Sequence, residues 1–213
     1  MRSTLAVAMV VLGMPALAHR LDEYLQGAIF EVDKDHIRAR MSLTPGVAVL
    51  PSVITSIDTD GDGKISEAEQ HAYGGRVLRD LSLSIDGNGL TPRLLSLRFP
   101  TMDEMKEGRG EIRLEFDADL PRGSGRRTLT FENHHQSSIA AYQVNCVVPS
   151  DPDIRIVKQD RNYSQSFYQL EYLQTGAGSD PAFASWSRVG WLVAVALLLF
   201  ARLVYYFRRR IAI

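Results

Sequence analysis

The sequence has a single cysteine, Cys146, and no excess of charge of either sign. One thiol cannot form an intrachain disulfide, so stability must come from the core and from any metal that is bound. The 24 basic and 25 acidic side chains nearly cancel, which gives no general attraction to nucleic acid. No nucleophile elbow surrounds Ser137 and Ser138 near His135. The sequence therefore predicts a protein that is not an enzyme and does not bind nucleic acid.

Residues 1–18 have the composition of a secretory signal peptide. Arg2 gives a positive start, an apolar stretch follows from Leu5 to Leu12, and Ala16-Leu17-Ala18 offers a cleavage site of small residues. The apolar stretch is too short to span a bilayer. We therefore expect export, followed by cleavage that leaves His19 as the first residue of the mature chain.

A second apolar segment, residues 189–207, approaches the ~20 residues that a membrane-spanning helix requires. Arg208-Arg209-Arg210 follows directly, and basic residues of this kind stay on the cytoplasmic side. Residues 208–213 are therefore predicted to form a short cytoplasmic tail. Residues 174–187, which contain Gly, Ser and Pro, are predicted to be a linker that precedes the membrane helix. The main domain, residues 19–173, is then expected on the outer side of the membrane.

The main domain alternates apolar and polar residues with a period of two, which indicates strands with one buried face. The apolar positions of three such runs are Ile37, Ala39, Met41 and Leu43; Leu81, Leu83 and Ile85; and Ile112, Leu114 and Phe116. Asp86-Gly87-Asn88-Gly89 is typical of a hairpin turn. In a further run Tyr142, Val144, Cys146 and Val148 share one face, which predicts a buried, unreactive thiol. The pattern predicts a mainly β domain of the β-sandwich type.

In residues 45–80 the alternation with a period of two is absent, and apolar residues recur at helical spacing instead. This spacing predicts a helix–loop–helix insert between two strands. The first helix should be short, because Pro51 cannot lie deep inside it. Gly74 and Gly75 should weaken the second helix near its middle.

The loop between these helices, Asp58 to Glu69, has the spacing of an EF-hand calcium loop. Alternate carboxylates and a closing glutamate offer the oxygen ligands that Ca²⁺ prefers, of which it takes six to eight, whereas Mg²⁺ would require a tighter shell. Gly63, at the sixth position, allows the sharp turn that such a loop needs. The predicted metal ligands are Asp58, Asp60, Asp62, Lys64 through its backbone carbonyl, Ser66 and Glu69. Ser66 and Glu69 also form a capping box, which predicts that the second helix starts within the loop.

The sequence contains no second loop of this kind, although EF-hands usually work in pairs. A lone hand could hold the helical insert against the sheet, or it could pair with a hand on another chain. Extracellular sites bind calcium with Kd ~10⁻⁴–10⁻³ M, which suits permanent occupancy. We expect a structural or partner-binding role rather than a switch.

A second metal site is an alternative that the sequence leaves open. Cleavage would give His19 a free amine beside its imidazole, and such nitrogen ligands suit copper or nickel. His134 or His135 could complete the site. The chain would then be a nickel- or copper-handling accessory protein. In the other interpretation His19 is merely the first mature residue, and His134 and His135 lie in an exposed turn.

Several segments together resemble a known family. They are His19–Gln26, Leu43–Val47, the calcium loop, Tyr142–Asn145 and Arg161–Ser166. The chain resembles bacterial exported EF-hand proteins whose β-rich domain also precedes the membrane domain of HupE/UreJ-type hydrogenase/urease accessory permeases. The resemblance implies a periplasmic accessory domain at the bacterial inner membrane, linked to an envelope partner such as a metal permease. Because only one span is predicted here, it gives no support for transport by this chain alone.

Overall fold

The computed structural model describes residues 22–176, which form ten strands and three helices. In chain order these are β1 (Tyr24–Val32), β2 (His36–Pro45), α1 (Leu50–Ile57), α2 (Glu67–Arg79), β3 (Leu81–Ile85), β4 (Asn88–Gly89), β5 (Arg93–Arg98), α3 (Met102–Lys106), β6 (Ile112–Asp119), β7 (Gly125–Asn133), β8 (Ala140–Cys146), β9 (Ile154–Arg161) and β10 (Phe167–Gln174). The strands form two five-stranded sheets, ordered β5-β6-β2-β1-β8 and β4-β3-β7-β10-β9. One apolar core draws residues from both sheets. The domain is therefore mainly β and resembles a β-sandwich, as predicted.

The predicted buried faces of β2, β3 and β6 are confirmed, because every apolar residue named for them is buried. Between the sheets, Phe30 of β1 packs against Phe131 of β7 and Tyr168 of β10, with ring centroids 4.9 Å and 6.1 Å apart. Burying one side chain of this size contributes about 1.5–3 kcal/mol relative to leaving it exposed. These aromatic contacts hold the two sheets together.

Contacts between the sheets show which strand ends lie together. At one end, the Asn133 side-chain amide donates to Gln26 Oε1 at 2.9 Å. We call this end the insert pole, because β2 ends there and leads into α1 and α2. At the other end, Lys34 in the β1–β2 turn forms ion pairs with Asp151 and Asp153, just before β9. We call this end the exit pole, because β10 ends beside the start of β9.

The predicted hairpin after β3 is confirmed. Asp86 and Gly87 have φ of 52° and 81°, the backbone that a two-residue type I′ turn requires. Arg127 Nε donates to Asp86 Oδ2 at 3.0 Å, and the backbone N–H of Thr128 donates to Asp86 Oδ1 at 2.8 Å. These bonds offset the cost of a positive φ at a residue other than glycine.

The predicted insert is confirmed as two helices between β2 and β3. Pro51 lies in the first turn of α1, where its missing N–H costs no helical hydrogen bond. α2 continues without a break through Gly74 and Gly75. Gly74 is buried against β5, and a Cβ there would lie 2.9 Å from Leu97 Cδ2. The close approach of the helix to the strand explains why glycine occupies this position.

Three features differ from what the sequence predicts. β8 ends at Cys146, shortly before a proline, and Val148 is 88% exposed instead of sharing the buried face. Helix α3 follows β5 and begins with a capping box between Thr101 and Glu104, which the periodicity does not indicate. Gln174, the first residue of the predicted linker, is the last residue of β10 and is buried.

Cys146 itself agrees with the prediction of an unreactive thiol. Its side chain is half-buried, and its Sγ donates to the carbonyl of Val147 at 3.2 Å. Burial raises the pKa of the Cys146 thiol to about 12. The group is therefore protonated at neutral pH and is a poor nucleophile.

The predicted signal peptide (1–18), most of the predicted linker, the predicted membrane span (189–207) and the tail (208–213) lie outside the described residues. Between residues 22 and 176, no helix combines the length and the hydropathy needed to cross a membrane.

Candidate metal centre

Three of the predicted ligands converge in the structure. Asp58, Asp60 and Glu69 each offer one carboxylate oxygen, and these oxygens all lie within 4.8 Å of one another. Asp58 follows the end of α1, Asp60 lies in the loop, and Glu69 lies in the first turn of α2. The folded insert therefore brings together carboxylates that are eleven positions apart in sequence.

The loop backbone wraps around its own carboxylates. Asp58 accepts the backbone N–H of Gly61 at 2.8 Å through Oδ1 and that of Gly63 at 2.9 Å through Oδ2. Gly61 and Gly63 have φ of +73° and +79°, a conformation that favours glycine. The sharp turn predicted at Gly63 is confirmed, and Gly61 provides a second one. Asp60 Oδ1 accepts the N–H of Asp62 at 3.2 Å, which tightens the loop further.

Glu69 is held at both carboxylate oxygens. Its Oε2 accepts the backbone N–H and the hydroxyl of Ser66, each at 2.9 Å, and its own N–H donates to Ser66 Oγ at 3.3 Å. This reciprocal pair confirms the predicted capping box at the start of α2. Its Oε1 accepts the backbone N–H of Thr59 at 2.6 Å and the Thr59 hydroxyl at 3.1 Å. The Thr59 contact closes the loop on itself and is not evident from the sequence.

The hydrogen bonds on Glu69 also fix its charge. The backbone N–H of Ser66, followed by the backbone N–H of Thr59, lowers the pKa of the Glu69 carboxyl to about 2. The side chain is therefore ionised at any pH near neutrality. A cation that binds here does not have to displace a proton from Glu69.

The group of converging oxygens does not include the other three predicted ligands, which are Asp62, Lys64 and Ser66. The Asp62 carboxylate is outside the group of three converging oxygens, and its Oδ1 accepts the N–H of Lys64 at 2.8 Å. The Lys64 side chain is exposed, in agreement with a residue that would offer only its carbonyl. The Ser66 hydroxyl is engaged with Glu69. The structure thus preforms half of the predicted ligand set.

The electrostatics of the loop favour a cation. Residues 58–69 contain five carboxylates and one lysine. None of the salt bridges formed among residues 22–176 involves a carboxylate of this loop. Within the described residues, mutual repulsion between the converging carboxylates is therefore relieved by backbone N–H groups, by the hydroxyls of Thr59 and Ser66, and by solvent, but by no cationic side chain. A divalent cation would relieve it directly.

The insert is tied to the sandwich by polar contacts that the sequence does not reveal. Tyr24 Oη lies 2.6 Å from Tyr73 Oη, Tyr73 Oη lies 2.9 Å from His135 Nε2, and His135 Nδ1 lies 2.7 Å from Asp80 Oδ2. We call Tyr24, Tyr73, His135 and Asp80 the anchor chain. It joins α2 and its C-cap to β1 and to the segment after β7. The sequence indicates one part of this arrangement: the spacing of four residues between Glu69 and Tyr73 places both on one face of a helix.

The two histidines considered for a second metal site have different environments. His134 is exposed, and its Nε2 lies 3.0 Å from Glu132 Oε2. His135 is buried, contrary to the expectation of an exposed turn, and Asp80 and Tyr73 occupy both of its ring nitrogens. His135 could bind a metal only by breaking one of these bonds. His19, the third member of that set, lies outside the described residues.

Comparison of the chain with family models, with curated proteins and with solved structures finds no match in any of the three.

Proposed function

We propose that this chain is a calcium-binding protein whose β-sandwich domain is exported and held at the membrane by a C-terminal helix. The observation that carries the calcium assignment is the convergence of Asp58, Asp60 and Glu69 within 4.8 Å. These residues occupy the first, third and twelfth positions of a loop whose spacing the sequence independently assigns to calcium. Asp62, Ser66 and the Lys64 carbonyl complete the proposed shell.

The chemistry of the ligands favours a hard cation. Every predicted ligand atom is an oxygen, which suits Ca²⁺ or Mg²⁺ and disfavours copper and nickel, which prefer nitrogen or sulfur. Ca²⁺ accepts more ligands and less regular geometry than Mg²⁺. A loop that offers both carboxylates and a backbone carbonyl fits calcium better. The nickel or copper alternative receives no support from His135, whose ring nitrogens are engaged.

The position of the helix–loop–helix insert, relative to the end of β10, bears on its role. The insert lies at the insert pole, whereas β10 ends at Gln174 on the opposite, exit pole. The proposed membrane linker would follow Gln174, so the calcium loop would face away from the lipid. This placement supports a structural role in the domain, or contact with an envelope partner, rather than lipid binding. An accessory role beside a membrane protein, such as a metal permease, is what the family resemblance implies.

The assignment is tested with the purified full chain in mild detergent. We compare thermal unfolding in EGTA and in calcium for the native chain, Glu69→Gln and Glu67→Gln. Glutamine at residue 69 can still cap α2, so the substitution removes charge and one ligand oxygen but keeps the helix start. Glu67 is an exposed neighbour in the same helical turn, so Glu67→Gln is the matched control.

At ten times its Kd, calcium should raise the Tm of the native chain by about 3–6 °C. The Glu67→Gln chain should show the same gain, and the Glu69→Gln chain should show almost none. Absence of any calcium effect on the native chain at millimolar concentration would refute the proposed function.

A further inference from the structure

Three members of the anchor chain lie inside the protein, whereas the side chain of the fourth, Asp80, is 38% exposed. Tyr24 and Tyr73 are fully buried, and the His135 side chain is 1% exposed. The carbonyl of His135 accepts the Gln26 side-chain amide at 2.9 Å, which fixes the segment after β7 as well. Polar groups in such a site are costly to leave unpaired, so the bonds of the anchor chain hold its members in one arrangement.

Asp80 sets the direction of every hydrogen bond in the anchor chain. An ionised carboxylate only accepts, so His135 Nδ1 carries the proton between them. Burial lowers the pKa of His135, which leaves the ring neutral at pH 7 with Nε2 as an acceptor. Tyr73 therefore donates to Nε2, and Tyr24 donates to the oxygen of Tyr73. The Tyr73 hydroxyl is the central member, because it both donates and accepts.

The anchor chain is close to the calcium loop along α2. Tyr73 follows Glu69 by one helical turn, and both side chains are on the buried face of the helix. One turn further, Arg76 Nη2 donates to the carbonyl of Ser56 at 2.7 Å, two residues before Asp58. Both ends of the twelve-residue loop are therefore held in place by α2.

We propose that Tyr24, Tyr73, His135 and Asp80 are positioning residues that set the calcium affinity of the loop by fixing α2, and with it Glu69. The inference rests on the proposed calcium binding. None of the four residues contacts the proposed metal position; they act through the helix. Ligands that are already oriented bind more tightly, because less conformational freedom is lost on binding.

The test is a calorimetric titration of the full chain with calcium, at a temperature well below unfolding. Tyr73→Phe keeps the buried ring and removes the hydroxyl that makes two hydrogen bonds. We expect it to raise the calcium Kd about three- to tenfold. Tyr24→Phe leaves the bond between Tyr73 and His135 intact, so we expect a smaller rise of about twofold.

Tyr168→Phe is the matched control. Tyr168 of β10 is also fully buried, and its hydroxyl donates to Oε1 of Gln159 in the neighbouring strand β9 at 2.9 Å. Both strands belong to the sheet that does not contain β1. Loss of the Tyr168 hydroxyl should lower the stability of the chain by a similar amount and leave the calcium Kd unchanged. Stability measured in EGTA for each variant separates the two effects.

A Tyr73→Phe chain that loses stability in EGTA but binds calcium with the native Kd overturns the positioning role. If Tyr73→Phe does not fold, Tyr24→Phe decides: a Kd equal to that of Tyr168→Phe overturns the proposal. Failure of the native chain to bind calcium is a different result, because it refutes the proposed function on which the inference rests.

Discussion

Gly74 of α2 approaches β5 so closely that a Cβ on it would lie 2.9 Å from Leu97 Cδ2 and 3.4 Å from Leu94 Cδ2. The neighbouring Gly75 has room, since its nearest neighbour would be Arg79 Nη1 at 3.5 Å. The two adjacent glycines therefore have different reasons to be present. Of the two, only Gly74 is required by packing, and it sets the distance between the helical insert and the sheet that contains β5.

Alanine at these two positions should have different effects. Gly75→Ala should stabilise the chain by about 0.5–1 kcal/mol, because alanine has the higher helix propensity and meets no close atom. Gly74→Ala should be less stable than Gly75→Ala by about 1–3 kcal/mol, because Leu97 must move to admit the methyl group. Urea unfolding of the two variants and the native chain measures the difference. Equal stability of the two variants would show that β5 adapts to the methyl group at no cost.

Two buried tyrosines of β10 provide a second pair of opposite expectations. Within residues 22–176, the Tyr172 hydroxyl is buried without a hydrogen-bond partner, whereas the Tyr168 hydroxyl is bonded to Gln159. Tyr172→Phe should be neutral or stabilise the chain by up to about 1 kcal/mol, because it removes an unpaired polar group. Tyr168→Phe should cost about 1 kcal/mol. Urea unfolding of both variants tests this, and a large loss for Tyr172→Phe would mean that its hydroxyl is bonded in solution.

Local sequence patterns account for much of this fold. The period of two places Ile37 and Leu114 on buried strand faces, and the spacing from Asp58 to Glu69 defines the loop between two helices. Both patterns arise from residues that are near one another in sequence, where backbone geometry decides which side chains share a face. Asp86-Gly87 is predictable for the same reason.

Contacts between distant segments are not predictable in this way. Tyr24 and Tyr73 are 49 positions apart, and no periodicity connects a strand residue with a helix residue across the core. His134 and His135 are adjacent and chemically alike, yet one is exposed and the other buried. Their difference depends on how the chain leaves β7, which tertiary packing decides. The Thr59 contact to Glu69 likewise requires the loop to be closed already.

The environment of His135 predicts how stability depends on pH. Burial lowers its pKa below the ordinary value of 6.5, and the hydrogen bond that His135 Nδ1–H donates to Asp80 offsets only part of that effect. The charged and titratable groups that face it are Asp80 beside β3, Tyr73 and Arg76 of α2, Tyr24 of β1 and Tyr142 of β8. The unfolded chain therefore binds a proton more readily than the folded chain, so acidification favours unfolding.

The contribution of neutral His135 to the stability of the fold should be complete above pH 6.5. It should decline as the pH falls below 6.5, towards the lowered pKa of His135 in the folded chain. Urea unfolding in EGTA between pH 7.5 and about pH 5 measures this slope. His135→Gln should flatten the slope, even if it lowers stability throughout. His71→Gln, which removes an exposed imidazole from α2, is the control and should keep the native slope. An unchanged slope in His135→Gln would show that other groups cause the pH dependence.

The converging carboxylates give an order of importance within the calcium loop. The Asp60 carboxylate lies with those of Asp58 and Glu69, whereas the Asp62 carboxylate lies outside this group and accepts the N–H of Lys64. Removing the charge of Asp60 should therefore weaken calcium binding more than removing that of Asp62, since affinity follows the number of charged ligands already in place.

Asp60→Asn and Asp62→Asn are a matched pair, because asparagine keeps the side-chain oxygen that caps the loop backbone. We expect the calcium Kd to rise about tenfold or more for Asp60→Asn and by a smaller factor for Asp62→Asn. Calorimetric titration of the full chain measures both. Should Asp62→Asn cost as much as Asp60→Asn, the fifth-position carboxylate must swing inwards and release Lys64 when calcium binds. Half of the proposed shell would then form only with the metal, and the preformed trio would explain less of the affinity.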